Sequence, residues 1–446
     1  MTQEELIKEI LAVPAENQTT EFKRLSGNEI VGKIIETIVA MTNIDGGVIV
    51  LGVSDPEETN LKGLNRIFGI EENINNFDAI GREIQRIIPP LASIWPLDKI
   101  LVKEAKKAIA LLFIPKATDS FRSINNHVYI RQEKSNKLLT PQEVVRFAYA
   151  KGFEKVDKEL VEVDFNLLNT DEFNKWKGGR NIEDADIKSV LEKTGLARKN
   201  NTGILLPTRA AVLLFAEYPN DLMDTKCAIR IFQYSGTIET IKETPNLIST
   251  PKNINGNIIK QLKDAHEYVL TLLRSGIKIP SGFVTQYQIP ERAIKEAITN
   301  AVIHRDYYIK RDIEIKIFED RVEIESPGLF PYNITPANIG RVRAEGYRND
   351  LLVKHLREFP SPPNLDQSEG VKAMRSEMKS QNLYPPIFWT YPKLQDAVRV
   401  VLLNEKVATE WEKVNFYLEK NKYITNEEAR KITSIIITIT TISTNP

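Results

Sequence analysis

Cysteine is almost missing: Cys227 is the sole one in 446 residues. An intramolecular disulfide is thereby excluded, and a reducing compartment fits. Histidine is nearly as scarce, with four scattered residues, too few for a structural zinc site. No apolar run approaches the roughly 20 residues of a membrane-spanning helix. The amino terminus lacks a signal-peptide pattern. The expected location is therefore cytoplasmic, with no membrane partner. Net charge is lacking as well, since 60 Lys and Arg balance 60 Asp and Glu. No global field draws the chain to nucleic acid, so any such binding must rest on local basic patches. Lys23-Arg24, Arg82 with Arg86, and Arg341 with Arg343 are the candidates, and each alone reads as solvated surface. No Gly-x-x-x-x-Gly-Lys-Ser/Thr loop occurs, so nothing supports a helicase motor. No internal repeat is found.

What is present is 42% hydrophobic and 27% charged residues, the composition expected of a globular protein. The length suits about three domains. The most informative run is residues 296 to 307. Ile294, Ala297, Ile298, Ala301 and Val302 fall at helical spacing and predict a core face. Glu296, Asn300 and His304 form a second stripe, drifting only about 40° per step. A carboxamide oxygen can coordinate Mg²⁺, and a carboxylate can orient or deprotonate a water. A bland, partly exposed helix explains the same pattern about as well. Next, Ile313, Ile315 and Ile317, then Val322 and Ile324, alternate with polar residues around Glu319-Asp320-Arg321, a β-hairpin signal. The hairpin ends at Ser326-Pro327-Gly328, a turn that lets backbone approach a ligand. Arg348-Asn349 follows. Then Ser368-Glu369-Gly370-Val371 reads as a loop opening a short helix, whose free N–H groups suit phosphate.

Residues 289 to about 400 resemble the RecG-helicase-like carboxy-terminal domain, a branch of the GHKL ATPase fold. The resemblance rests on Glu296, Asn300, His304-Arg305-Asp306-Tyr307, Ser326-Pro327-Gly328 and Arg348-Asn349. It implies ATP and Mg²⁺ as cofactors, with Asn300 on the metal and Glu296 catalytic, activating the hydrolytic water. His304, Arg305, Asp306, Ser326, Gly328, Arg348, Asn349 and Gly370 would complete the nucleotide site. Residues 331 to 350 are the candidate lid. Three departures stand out. Glu325-Ser326 occupies the place where the wider fold has an Asp, Asp350 follows Asn349 where a Pro is usual, and Gly370 has no close second glycine.

The amino-terminal half carries Glu16, Glu21-Phe22-Lys23-Arg24, a helix from about 27 to 42, Gly46-Gly47, a buried strand from 48 to 53, and Ser54-Asp55. The Gly pair reads as a structural turn. Roughly residues 5 to 150 resemble the Schlafen AlbA-type domain, with Tyr129-Ile130-Arg131 as a later match. Gln132-Glu133 departs from that domain's usual small residue, Gly and Ser. The resemblance implies nucleic-acid binding, DNA ahead of RNA, with Lys23, Arg24 and Arg131 meeting phosphates. It also leaves open a metal-dependent nuclease, in which Glu16, Glu21 and Asp55 hold a divalent metal and catalyse hydrolysis. The opposing reading is a surface ion pair between these acids and Lys23 or Arg24.

The expected fold class is α/β (α+β) multidomain. The sequence suggests a nucleic-acid-binding domain over 1–150, a linker and connecting α/β domain over 151–288, a GHKL-type sandwich over 289–404, and a partial winged helix over 405–446. In the last region a β-branched, uncharged run from Ile435 to the end stands where a recognition helix would be expected. Taken together, the resemblances imply a transcriptional regulator or defence protein, a homodimer or higher homo-oligomer, whose nucleotide state controls nucleic-acid binding. The alternatives are an ATP-gated nuclease and a scaffold with a degenerate ATPase site.

Overall fold

A computed structural model describes residues 2–408, except 92–93, 224, 240–245, 277–285 and 363–369, together with Val414, Tyr417, Leu418, Glu428 and Ile432. The expected winged-helix region thus lies almost wholly outside the described residues, as do Ser368 and Glu369 of the loop before Gly370. The architecture is mixed α/β and multi-part, as the sequence predicts. Among the described residues no helix is long and apolar enough to cross a membrane.

The chain opens with α1 (Gln3–Ala12), started by a Thr2–Glu5 capping box. Then come β1 (Thr20–Lys23), α2 (Ile30–Thr42), β2 (Gly47–Leu51), α3 (Ile74–Ile84), β3 (Lys99–Val102) and β4 (Lys107–Ile114). The strands form a sheet in the order β1-β2-β4-β3, with β1 parallel to β2 and the other pairs antiparallel. Alternation along β2 sends Ile49 and Leu51 toward α2 and α3, where Ile34, Ile38, Met41, Phe77 and Ile80 are buried. Val50 goes to the other face, with Phe22, Ile109 and Ile7 of α1. The turn into β2 requires glycine. Gly46 and Gly47 have φ of 71° and 149°, and a Cβ on Gly47 would sit 2.3 Å from the Thr19 carbonyl oxygen. The hairpin of β5 (Tyr129–Gln132) and β6 (Ser135–Leu138) leads into α4 (Pro141–Lys151). That helix is capped by Thr140 with Glu143 and stopped by left-handed Gly152.

A helical stretch follows: α5 (Asp171–Gly179), α6 (Ile187–Thr194), the small hairpin β7 (Ala197–Lys199) and β8 (Leu205–Pro207), α7 (Arg209–Phe215) and α8 (Pro219–Leu222). The second large sheet is built from β9 (Ile229–Gln233), β10 (Lys252–Ile254), β11 (Ile313–Ile317), β12 (Arg321–Pro327), β13 (Ile387–Trp389) and β14 (Ala397–Leu403). Between them run α9 (Ile258–Ser275), α10 (Glu291–Ile303), α11 (Asp350–Leu356) and α12 (Gly370–Ser380). The strand order is β10-β9-β11-β12-β14-β13, with β9 parallel to β11. Helices α9, α10 and α12 pack side by side, and α10 lies against β12. The boundary expected at 288/289 falls inside this sheet. β9, β10 and α9 precede it yet contribute to one buried core whose members run from Val156 to Leu402. The parallel pairing of β9 with β11 is the cause, because sequence periodicity does not report which strands become neighbours.

Candidate functional site

Helix α10 shows how the site is placed. Ala293, Ile294, Ala297, Ile298, Ala301 and Val302 are buried and fix its rotation. The polar stripe of Glu296, Asn300 and His304 then faces a cavity of about 420 Å³ between α10, β12, β14, α12 and the segment 329–347. Ile324, Phe388, Val398, Val400 and Met374 make an apolar wall, with Ile334 and Ile339 in one cluster with Phe388 and Val398. Arg292, Glu296, Asn300 and His304, on or beside α10, give the cavity a polar end, so it pairs an apolar lining with a few convergent polar groups.

The polar end is crowded. A Cβ added to Gly370 would stand 2.8 Å from a Glu296 carboxylate oxygen and 3.0 Å from Asn300 Nδ2. The first residue of α12 therefore touches the stripe, and the helix points its N-terminal dipole at it. Asn300 Nδ2 is buried and has no hydrogen-bond partner among the described residues. Burial raises the Glu296 carboxyl above its usual range, with Arg292 nearby pulling it back. Burial, then the Arg348 charge, lower the His304 imidazole to about 4. It is therefore neutral near pH 7, so it can hydrogen-bond a ligand without offering it a positive charge. Its ring stacks on Tyr347, centroids 5.4 Å apart at 14°. Ser326 lines the cavity floor while its hydroxyl donates to the Ala301 carbonyl at 2.7 Å, and Gly328 sits beside it with φ 114°.

Four residues expected at the nucleotide lie elsewhere. Arg305 is fully buried and donates to the carbonyls of Lys226, Ile309 (3.0 Å) and Arg311 (2.7 Å), pinning the turn after α10. Asp306 is buried, accepts the Tyr308 N–H at 2.9 Å and stands 4.0 Å from Arg348. Asn349 donates to the carbonyls of Ile303 and Arg305, both at 2.8 Å. Arg348 donates to the carbonyls of His304 (3.0 Å), Tyr149, Ala150 and Leu329. These polar side chains satisfy internal backbone, so they are committed to the fold. Glu325 also faces away, because it alternates with Ile324 and Ser326, and Arg399 binds it at 2.7 Å. No carboxylate from β12 therefore enters the cavity.

In the amino-terminal domain the structure gathers Glu16, Glu21, Lys23 and Arg131. Lys23 Nζ lies 2.6 Å from Glu21 and 3.7 Å from Glu16. Arg131, 1% exposed, pairs with the other Glu21 oxygen and with Asn136 at 3.0 Å. Its guanidinium is thus unable to reach a phosphate outside. Arg24 is the accessible cation of the three expected ones, lying over the Phe68 ring (3.6 Å) and paired with Glu72. Asp55 accepts the Glu57 N–H at 2.9 Å. Among the described residues no group of three His, Cys, Asp or Glu side chains is placed to hold a metal ion. The expected metal set of Glu16, Glu21 and Asp55 is thus not assembled, because Lys23 and Arg131 take the carboxylate oxygens of Glu21.

Burial and then Glu21 push the Glu16 carboxyl up from 4.5 to about 7. The folded chain then holds a proton that the unfolded chain has already released, so this group lowers stability as pH rises from about 4.5 to 7 and is level above that. Glu16→Gln keeps an acceptor for the Phe22 N–H, which Glu16 takes at 2.8 Å. The substitution is expected to stabilise the chain by on the order of 2 kcal/mol near pH 8 and by almost nothing near pH 4. Urea midpoints at the two pH values check this.

Sequence reading missed the cavity's apolar wall and the residues that carry its cover. Phe388 sits in a three-residue strand with too little alternation to reveal a face. Lys116, Lys151 and Lys155 carry no motif or periodic signal that would single them out.

The fold and the cavity define a chain with a small amino-terminal sheet domain and a larger α/β sandwich that encloses a ligand-sized slot. Residues 16–140 match the family described as "Schlafen, AlbA_2", and residues 310–402 match the one described as "Putative ATP-dependent DNA helicase recG C-terminal". The chain therefore carries an amino-terminal Schlafen AlbA_2 domain and, downstream, an ATPase-like domain of the RecG carboxy-terminal type. Among solved structures, the DIP2311 protein from Corynebacterium diphtheriae is similar at 17% identity, with 96% of this chain and 77% of that chain covered and a TM-score of 0.41. No curated protein matches.

Proposed function

We propose that this chain binds ATP with Mg²⁺ in the cavity beside α10, and that nucleotide state sets the affinity of its amino-terminal domain for nucleic acid, as in a transcriptional regulator or defence protein. The observation that carries the reading is the meeting of Glu296, the Asn300 amide nitrogen, which has no partner among the described residues, and side-chain-free Gly370 at one end of the cavity. Asn300 and the start of α12 would hold the metal and phosphates, and Glu296 would orient water. Bound Mg²⁺ would supply charge neutralisation at the phosphates. Ser326 and the apolar wall would seat the base with no carboxylate to read it. The basic candidates for nucleic acid are Arg24 and the partly exposed Lys23. Dimerisation in response to nucleotide belongs to the same reading.

The nuclease alternative has one observation in its favour, the adjoining carboxyls of Glu16 and Glu21. A single experiment separates the two. Labelled DNA and RNA are incubated with Mg²⁺, with and without ATP, using wild type and Glu21→Ala. ATP-dependent binding without cleavage is the expected result. Cleavage that disappears in Glu21→Ala while binding persists would establish the nuclease. Binding indifferent to ATP would remove the regulatory link.

A further inference from the structure

The cover of the cavity is gripped from the other domain. Leu329, Phe330, Pro331, Ile334, Ile339 and Tyr347 line the slot from one side. Lys116, at the end of β4, donates to the carbonyls of Phe330 (3.1 Å) and Ile334. Lys155, just after α4, donates to the Tyr332 hydroxyl and to the Tyr347 carbonyl (2.6 Å). The Leu329 N–H donates to Ala150 at 2.9 Å, and Arg348 returns the grip on Tyr149 and Ala150 from the far end. Both ends and the middle of the segment are thus bonded to residues 116 and 149–155.

The same residues reach onward into the amino-terminal sheet. Lys116 lies 3.7 Å from Asp45, and Lys151 donates to the Ile44 carbonyl at 2.6 Å. The neighbouring Asn43 ties this loop to the carbonyls of Arg122 and Tyr129, both at 2.8 Å. Tyr129 begins the strand that carries Arg131, the partner of Glu21. Lys116 and Lys151 are both buried, and burial lowers both ammonium pKa values. Moving the cover away would strip Lys116 of two acceptors and leave it beside a second ammonium with Asp45 as counter-ion. The carbonyls of the cover and the Asp45 carboxylate share one ammonium, so a displaced cover changes what Lys116 offers the loop.

We infer that residues 329–348 are a lid tethered to the amino-terminal domain through Lys116 and through the bonds of Arg348 to the end of α4, so that cavity occupancy is read within one chain by the 43–47 loop at the start of β2. This rests on the nucleotide reading above and supplies a route that needs no change of subunit association.

Hydrogen exchange on the full chain tests it, with Mg-ATP as the probe and wild type, Lys116→Met and Asp45→Asn as the proteins. In wild type, Mg-ATP is expected to slow exchange about ten-fold in α10, in 329–348 and also in 41–47. In Lys116→Met, which removes the bonds to Phe330, Ile334 and Asp45, the slowing at α10 should persist while that at 41–47 is lost. Asp45→Asn removes one charge, a minimal change to the fold, and should reduce the effect at 41–47 in the same direction. Slowing at α10 and the lid with 41–47 unchanged in wild type would overturn the tether and leave the nucleotide site standing. Equal slowing at 41–47 in all three proteins would also overturn it. No slowing at α10 would sink the nucleotide reading and this inference with it.

Discussion

Arg348→Met is expected to destabilise the folded chain by about 3–5 kcal/mol, the cost of removing one side of a buried polar network. The guanidinium is 1% exposed and serves four carbonyls, those of His304, Tyr149, Ala150 and Leu329. Methionine fills the volume but donates nothing, so the carbonyls of His304 and Leu329 lose their donor in a place water does not reach, those of Tyr149 and Ala150 keep only a backbone N–H, and Asp306 loses its nearest cation. Each orphaned group costs about 1–3 kcal/mol, and shared relaxation keeps the total below a simple sum. Arg343→Met, on the exposed part of the same segment, is the control and should shift stability by less than about 0.5 kcal/mol. Urea unfolding of both variants measures the difference. Equal stabilities would mean that the interdomain grip contributes little.

Asn300→Ala should separate ligand binding from folding. Nothing among the described residues hydrogen-bonds the Asn300 amide nitrogen, so its removal costs the apo fold little. Wild type at ligand concentrations about 100 times Kd should gain about 2.7 kcal/mol from Mg-ATP. The variant is expected to lose most of that gain, read as the shift in Tm with and without Mg-ATP. A shift retained in full would move the metal and phosphates away from this stripe. No shift in either protein would favour a scaffold role for the domain. Burial raises the Glu296 carboxyl, which favours its accepting a proton if water is activated there.

The helix that bears the site was legible because its core face and polar stripe both follow helical periodicity. The hairpin of β11 and β12 was legible for the same kind of reason at a period of two. Its register places Glu314 against Glu325 and Ile315 against Ile324, as alternation demands. Glu296, Asn300, His304, Ser326, Gly328 and Gly370 are brought to one cavity. Arg305, Arg348 and Asn349 were not readable as internal struts. A buried arginine that satisfies carbonyls and an arginine that waits for a phosphate look alike in one dimension, since the carbonyls it meets belong to every residue type. Arg131 is the same case, and its partner Glu21 lies 110 positions away. The joining of β9 to β11 was equally hidden, because the paired residues, such as Ile229 and Ile313, lie far apart in sequence.

That pairing also governs the order in which the chain can fold as it is made. The first sheet is complete once residue 114 has emerged, whereas the second waits for β14 at 397–403 to enter between β12 and β13. Pairings of such long reach form slowly, and domains made first fold first. In the interval Lys116 and Lys151 remain in water, where an ammonium carries no burial penalty. Lys116 then exchanges that water for the carbonyls of Phe330 and Ile334, residues made more than two hundred positions later.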